Sequence, residues 1–362
     1  MFECSVILRL LSAQIDYLPD GTSPTTVYPM NLSSRSFAFI ALLFACAFWA
    51  LGFTIERALS LAQAEQIPGA GSWFISSWCL ALRFLLAALL LAGWCAWTGQ
   101  LWGWTRKEFS QAVGLGVFTA GGMLLQMDGL SYTSASTSSF ISQVYCVFLP
   151  LFFAIRGHGL PRWPVTVGGI LVLLGIAILA DVNPLHFTLG RGEIETLAAA
   201  LLFTGQILWA DRTTYLYNHM ARVSCLAFAI TGLLYLPLVA VTAPSTQALI
   251  DAYSSWQSLF CLLLLTLFCT IGGMVLMFTY QRRVGATAAS VIYCTEPLFA
   301  SGFAFVLPGI LSAMLNLDYA NESMTINLMI GGVLVVASNL IVHLNLTAVC
   351  PDDYSAARRK IW

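Results

Sequence analysis

Two ionisable side chains stand where an apolar sequence has no ordinary use for them. Arg83 falls about ten residues into the apolar stretch 73–96, and Glu296 about twelve into the stretch 284–307. A helix rises about 1.5 Å per residue, so helices over these stretches would hold both groups near their middles. An unpaired charge in hydrocarbon is costly, so such groups face a cavity or one another. The chemistry open to Glu296 is proton exchange or the holding of a substrate ammonium. Arg83 would be its counter-ion or the ligand of a substrate carboxylate. A plainer alternative is a kink at Glu296-Pro297 with its freed carbonyls satisfied locally, and Arg83 bonded to a neighbouring helix.

Ser138, Ser142 and Tyr145 recur at i, i+4 and i+7 and share one helix face. At an offset of 151 residues their counterparts are Ala289, Tyr293 and Glu296. Two such faces suit the walls of one cavity. Ser142, Tyr145, Tyr293 and Glu296 are read as lining it and Ser138 as packing, because small residues let membrane helices approach closely. Gln126, Gln143, Gln206 and Trp49 are further lining candidates, with contacts between helices as the alternative. Asp128 and Asp211 are expected to be solvated carboxylates at span ends, and Asn339 a helix contact.

Other chemistries lack their residues. The two lysines, Lys107 and Lys360, sit in no phosphate-binding loop, and neither His-Glu-x-x-His nor Gly-x-Ser-x-Gly occurs. His158, His186, His219 and His343 are isolated and read as surface residues. The ten cysteines form no C-x-x-C pair and suit small buried hydrophobes. No catalytic residue, metal or cofactor is expected.

The elements that position these residues are membrane spans. Hydrophobic residues make up 59% of the chain and charged ones 9%, against about 25% charged in soluble proteins. Apolar runs without alternation indicate helices rather than barrel strands. The spans are placed at 36–55, 73–96, 109–129, 132–155, 164–181, 193–211, 222–242, 257–280, 284–307 and 326–347. Trp73, Trp94, Trp97, Trp102, Trp104, Trp163 and Trp256 fall near their edges, where amphipathic rings settle.

Charge sets the orientation. Of sixteen basic residues, Arg9, Arg35, Arg106, Lys107, Arg156, Arg162, Arg212, Arg222, Arg282, Arg283, Arg358, Arg359 and Lys360 fall on the side of the N-terminus. The opposite side has Arg57 and Arg191, and Arg83 lies within a span. Basic segments stay in the cytoplasm, which puts both termini there. Residues 1–35 read as a flexible cytoplasmic extension, with Met30 as a candidate start, and 348–362 as a cytoplasmic tail.

The halves resemble each other. Gly121-Gly122-Met123-Leu124-Leu125 returns as Gly272-Gly273-Met274-Val275-Leu276, and at the same offset Ala135, Ser139, Ile141 and Phe148 meet Ala286, Ser290, Ile292 and Phe299. Gly168-Gly169-Ile170-Leu171 matches Gly331-Gly332-Val333-Leu334. Five helices per unit is an odd number, so the second unit is inverted. Inverted repeats place a substrate site between them near the bilayer midplane.

Phe48-Trp49-Ala50-Leu51-Gly52-Phe53, Leu82-Arg83-Phe84-Leu85-Leu86-Ala87-Ala88 and Gly129-Leu130-Ser131-Tyr132-Thr133-Ser134-Ala135-Ser136 resemble the EamA branch of the drug/metabolite transporter superfamily. So do Gly285-Ala286-Thr287-Ala288-Ala289-Ser290, Glu296-Pro297 and Gly331-Gly332. The resemblance spans about residues 36–347. The chain departs from the family pattern after the fourth span, at Arg156-Gly157-His158, and after the ninth, in a loop expected over Pro308–Thr325.

The resemblance implies an all-α integral membrane protein with ten transmembrane helices in two inverted five-helix repeats. The repeats are 36–181 and 193–347, joined by a linker at 182–192. The expected function is secondary active transport, in the export direction, of a small uncharged or zwitterionic, amino acid-like metabolite by alternating access. The alternatives are a carrier for a phosphorylated or nucleotide-linked metabolite and, from another class, a membrane-embedded enzyme. The expected setting is the plasma (inner) membrane. The partners are lipid, a small-molecule substrate and coupling protons; nucleic acid is not among them, and a homodimer is allowed.

Overall fold

The computed structural model describes residues 32–155, 163–179, 190–215, 217–284 and 286–347. The chain divides into a first unit, Met1–Phe37, and a second, Ala38–Trp362, which holds a buried cavity. The extension before residue 32, the linker through 189 and the tail after 347 fall outside the described residues, as do His158 and His186.

Every described element is a helix. In order they are α1 (Leu32–Gln66), α2 (Ser72–Trp97), α3 (Arg106–Leu130), α4 (Ala135–Ser142), α5 (Tyr145–Ile155), α6 (Trp163–Leu179), α7 (Arg191–Ala210) and α8 (Met220–Thr242). There follow α9 (Thr246–Asp251), α10 (Trp256–Leu264), a π-helical segment (Leu265–Met274), α11 (Val275–Val284), α12 (Ala286–Tyr293), α13 (Glu296–Ala304), α14 (Leu307–Leu315) and α15 (Ile326–Thr347). Local chemistry sets the ends. Pro68 and the left-handed Gly69 follow α1, and Thr105 with Glu108 forms a capping box at the start of α3.

Among the described residues, five helical segments are long and apolar enough to cross a membrane: Phe37–Gln66, Ser72–Trp97, Arg106–Leu130, Met220–Thr242 and Trp256–Val284. The bent pair α13 and α14, at 50°, makes a sixth if counted together. The surface is inverted relative to a soluble protein. Leu89 is 70% exposed and Val333 65%, whereas Arg83 is 2% and Glu296 6%. A surface so rich in apolar side chains is matched by lipid rather than by water.

Three expectations need correction. The first span does not end at 55: α1 runs to Gln66 and carries Glu56 and Arg57. The loop expected over Pro308–Thr325 is helical as far as Leu315, because Leu311 and Leu315 are buried and give α14 an apolar side; it turns at the left-handed Asn316. Asp128 is not solvated but fully buried, and the guanidinium of Arg191 pairs with it. Asp211 is also buried.

Two expected spans are broken at matching places. The fourth gives α4 and α5, interrupted at Gln143 and Val144, and the ninth gives α12 and α13, interrupted at Cys294 and Thr295. The interruptions are 151 residues apart. Pro297 explains the second, since it has no N–H for the carbonyl of Tyr293. At the first, side chains compete for the ladder: Ser139 Oγ donates to Ser136 O at 2.7 Å, Ser142 Oγ to Ser138 O at 2.9 Å and Gln143 Nε2 to Ser139 O at 3.3 Å.

Glycine pairs seat the long helices. A Cβ on Gly122 would lie 2.6 Å from the Phe203 ring, and one on Gly273 would lie 2.5 Å from Trp49 Nε1. One on Gly121 would strike Leu202, and one on Gly272 would come 3.0 Å from Phe48. Each glycine pair thus receives two consecutive side chains from the other half of the chain.

Candidate functional site

A cavity lies where these features converge. Trp49, Phe53 and Glu56 of α1, Arg83 of α2, and Met123 and Gln126 of α3 meet Ser142 and Tyr145 from the two sides of the first interruption. The second half supplies Phe203, Gln206 and Ile207 of α7, Cys269 and Met274 of the π segment, Met277, and then Tyr293 and Glu296 from the two sides of the second interruption. The space open to the centre of a water molecule is about 70 Å³, several times the ~10–15 Å³ that one water needs.

The polar groups form two sets. Tyr145 OH donates to Gln143 Oε1 at 2.8 Å, and Gln143 Nε2 donates to Glu296 Oε2 at 3.3 Å. Gln126 Nε2 donates to Ser142 Oγ at 3.0 Å, and Gln206 Nε2 to Thr119 Oγ1 at 2.7 Å. Tyr293 OH donates to Gln281 Oε1 at 3.0 Å, and its ring meets those of Trp49 and Tyr145 edge-on at 5.4 and 6.5 Å. Edge-on aromatic pairs contribute about 0.5–1.5 kcal/mol beyond burial, which helps to hold these rings in place.

The second set holds the guanidinium. Arg83 Nη1 donates to Glu56 Oε1, and Arg83 Nε donates to Thr270 Oγ1. Thr270 Oγ1 in turn donates to Leu265 O at 3.2 Å, five residues back along the π segment. The wider turn of a π-helix, a form frequent at functional sites, points Cys269 and Thr270 towards the interior.

The structure therefore brings together Trp49, Arg83, Gln126, Ser142, Tyr145, Gln206, Tyr293 and Glu296 on one cavity. Gln143 stands behind the wall and links two of its members. Ser138 packs, its hydroxyl 3.3 Å from Thr196 Oγ1. Glu56 escaped the sequence reading, and it changes the partnership: Arg83 is paired with Glu56, not with Glu296. Among the described residues, no ion pair includes Glu296.

Residues 36–180 match the EamA-like transporter family. The match covers less than half of the chain and is a likeness to that family over the first half. Two uncharacterized transporters of Archaeoglobus fulgidus are similar to it. One is 23% identical over 230 residues, covering 62% of this chain and 76% of the relative. The other is 25% identical over 223 residues, covering 62% and 66%. A solved crystal structure of a protein covers 86% of this chain and 97% of its own, with a TM-score of 0.56 at 14% identity, a likeness of fold. This EamA-like protein is a multi-pass membrane transporter.

Both ends of the transporter's bundle are tied by polar contacts. At one end Arg57 Nη1 donates to Leu130 O at 3.1 Å and Ser131 O at 2.8 Å. Arg191 reaches Asp128 and donates to Tyr132 OH at 2.6 Å. Glu322 accepts from Ala135 N at 3.1 Å and from the Ser136 hydroxyl, capping α4. At the other end Glu108 accepts from Arg222 Nη2 at 2.6 Å and from His219 N at 3.0 Å. His219, half-buried at the start of α8, has its imidazole held below its usual range by burial, reinforced by Arg222.

Proposed function

We propose that this transporter is a secondary active carrier, an exporter in the plasma (inner) membrane, that works by alternating access around Glu296. Ten helices in two inverted five-helix repeats, 36–181 and 193–347, with both termini cytoplasmic, would expose the cavity to one side and then the other. What carries the reading is the paired interruption of α4–α5 and α12–α13, which sets Tyr145 and Glu296 at the same position of two related helices on one cavity. The reciprocal seating of Phe203 on Gly122 and Trp49 on Gly273 also supports two equivalent halves.

Glu296 is the coupling group of this reading. A carboxylate withdrawn from water without a cation is costly, and either a proton or a cationic group of the ligand removes that cost. Competition between the two for one carboxylate couples their movements in opposite directions. The solute is small and carries no net negative charge. A phosphorylated solute would need several cations, and the cavity holds one guanidinium, already paired. The zwitterion expected from the sequence would need that guanidinium for its carboxylate. The test is flux into proteoliposomes driven by an imposed pH gradient. Movement without chemical change supports a carrier, and product formation without a gradient supports an enzyme.

A further inference from the structure

We propose that Glu56 sets the charge selectivity of the cavity: by cancelling Arg83 it leaves Glu296 as the one uncompensated charge, so that the site takes an organic monocation with an apolar ring. The inference rests on the reading of this cavity as the transport site.

The charge count is short. Among the described residues, three ionisable side chains other than tyrosine and cysteine line the cavity: Glu56, Arg83 and Glu296. Glu56 and Arg83 are in contact and both nearly fully buried, so together they present no net charge. Glu296 is buried against Gln143, whose amide donates to it but brings no cation. A ligand with one positive charge brings the sum to zero. With Glu296 ionised, a zwitterion leaves one negative charge uncompensated and an anion adds to it, so each must bring a proton to Glu296 where the monocation need not.

The walls fit the same ligand. Trp49, Tyr145 and Tyr293 line the same cavity as Glu296, their rings edge-on to one another, and aromatic rings attract ammonium groups through their quadrupoles. Phe53, Phe203 and Met274 complete an apolar surface for the remainder of the molecule. Glu56 is a positioning residue here, acting on ligand charge through Arg83.

The test uses the full chain in lipid nanodiscs and three probes that share one ring: phenethylamine, phenylalanine and 3-phenylpropionate. Like-charge contacts and unpaired ions cost enough that the amine should bind about tenfold more tightly than the zwitterion, and more tightly still than the acid. Glu296→Gln should remove the preference for the amine. Glu56→Gln frees Arg83 and should raise affinity for phenylalanine about tenfold relative to phenethylamine, again about one decade of binding constant. Should Glu56→Gln fail to fold, Glu56→Gln combined with Arg83→Gln removes a neutral pair and must keep the amine first in rank. Equal affinities in the wild type, binding of none of the probes, or loss of the amine's rank in the double variant overturns the proposal. Flux of the same probes separates the two readings: charge-selective binding without flux supports the charge assignment and removes the carrier, whereas gradient-driven flux without charge selectivity does the reverse.

Discussion

Alanine at Gly273 should cost stability where alanine at most helical glycines would add it. Replacing glycine by alanine inside a helix ordinarily stabilises by roughly 0.5–1 kcal/mol, through the restricted unfolded chain. Gly302 on α13 is the reference, since a Cβ there would meet nothing within 4 Å. At Gly273 the new methyl would lie 2.5 Å from Trp49 Nε1 and 2.7 Å from its Cδ1. The indole is held edge-on against Tyr293, 5.4 Å between centroids, and has little room to retreat. Overpacking of this kind costs roughly 1–3 kcal/mol, so Gly273→Ala should be less stable than Gly302→Ala by about that amount. Equilibrium unfolding in mixed micelles measures the difference, and Trp49 emission reports the displaced ring. Combining Gly273→Ala with Trp49→Val should recover part of the loss, as expected for residues in contact. Equal stability of the two alanine variants, with unchanged emission, would refute the packing argument.

Other outcomes follow from the same structure. Arg191→Gln leaves the Asp128 carboxylate buried without its cation and should destabilise by about 1–3 kcal/mol, less than the ~3–5 kcal/mol of a fully buried pair because the guanidinium is half exposed; adding Asp128→Asn should restore most of the loss in the same unfolding assay. His219 is held below its usual range, so its neutral form is favoured in the fold. Stability should therefore fall as pH drops through the unfolded imidazole value near 6.5, and His219→Gln should flatten that part of the stability curve. A reporter fused after Trp362 should be cytoplasmic and one inserted at Leu317 external; both on one side would end the ten-span orientation.

The cavity was legible because its members obey the helical period. Ser142 and Tyr145 share a face, and the offset of 151 carries that face onto Tyr293 and Glu296. Pro297 announced the second interruption. Nothing comparable announced the first, which depends on how Ser139, Ser142 and Gln143 spend their hydrogen bonds. Glu56 was missed because it lies one residue beyond the expected end of a span and beside Arg57, a pairing that reads as a solvated helix end. The bonds of Arg83 to Glu56 and Thr270 join α2 to α1 and to the π segment, across 27 and 187 residues. Long-range pairings of this kind leave no periodic trace. The pairing of Asp128 with Arg191 was hidden for the same reason.

The most direct test of the carrier is pH-gradient-driven flux in proteoliposomes containing either the wild-type chain or Glu296→Gln, measured across a range of pH. The amide keeps the shape of the side chain and removes its charge, and an amide at the bilayer centre is cheaper to insert than an ionisable group. Wild-type protein should carry solute at a rate set by the gradient, and Glu296→Gln should insert normally yet lose that flux. Transport by Glu296→Gln at the wild-type rate at every pH would contradict the account and make the carboxylate structural.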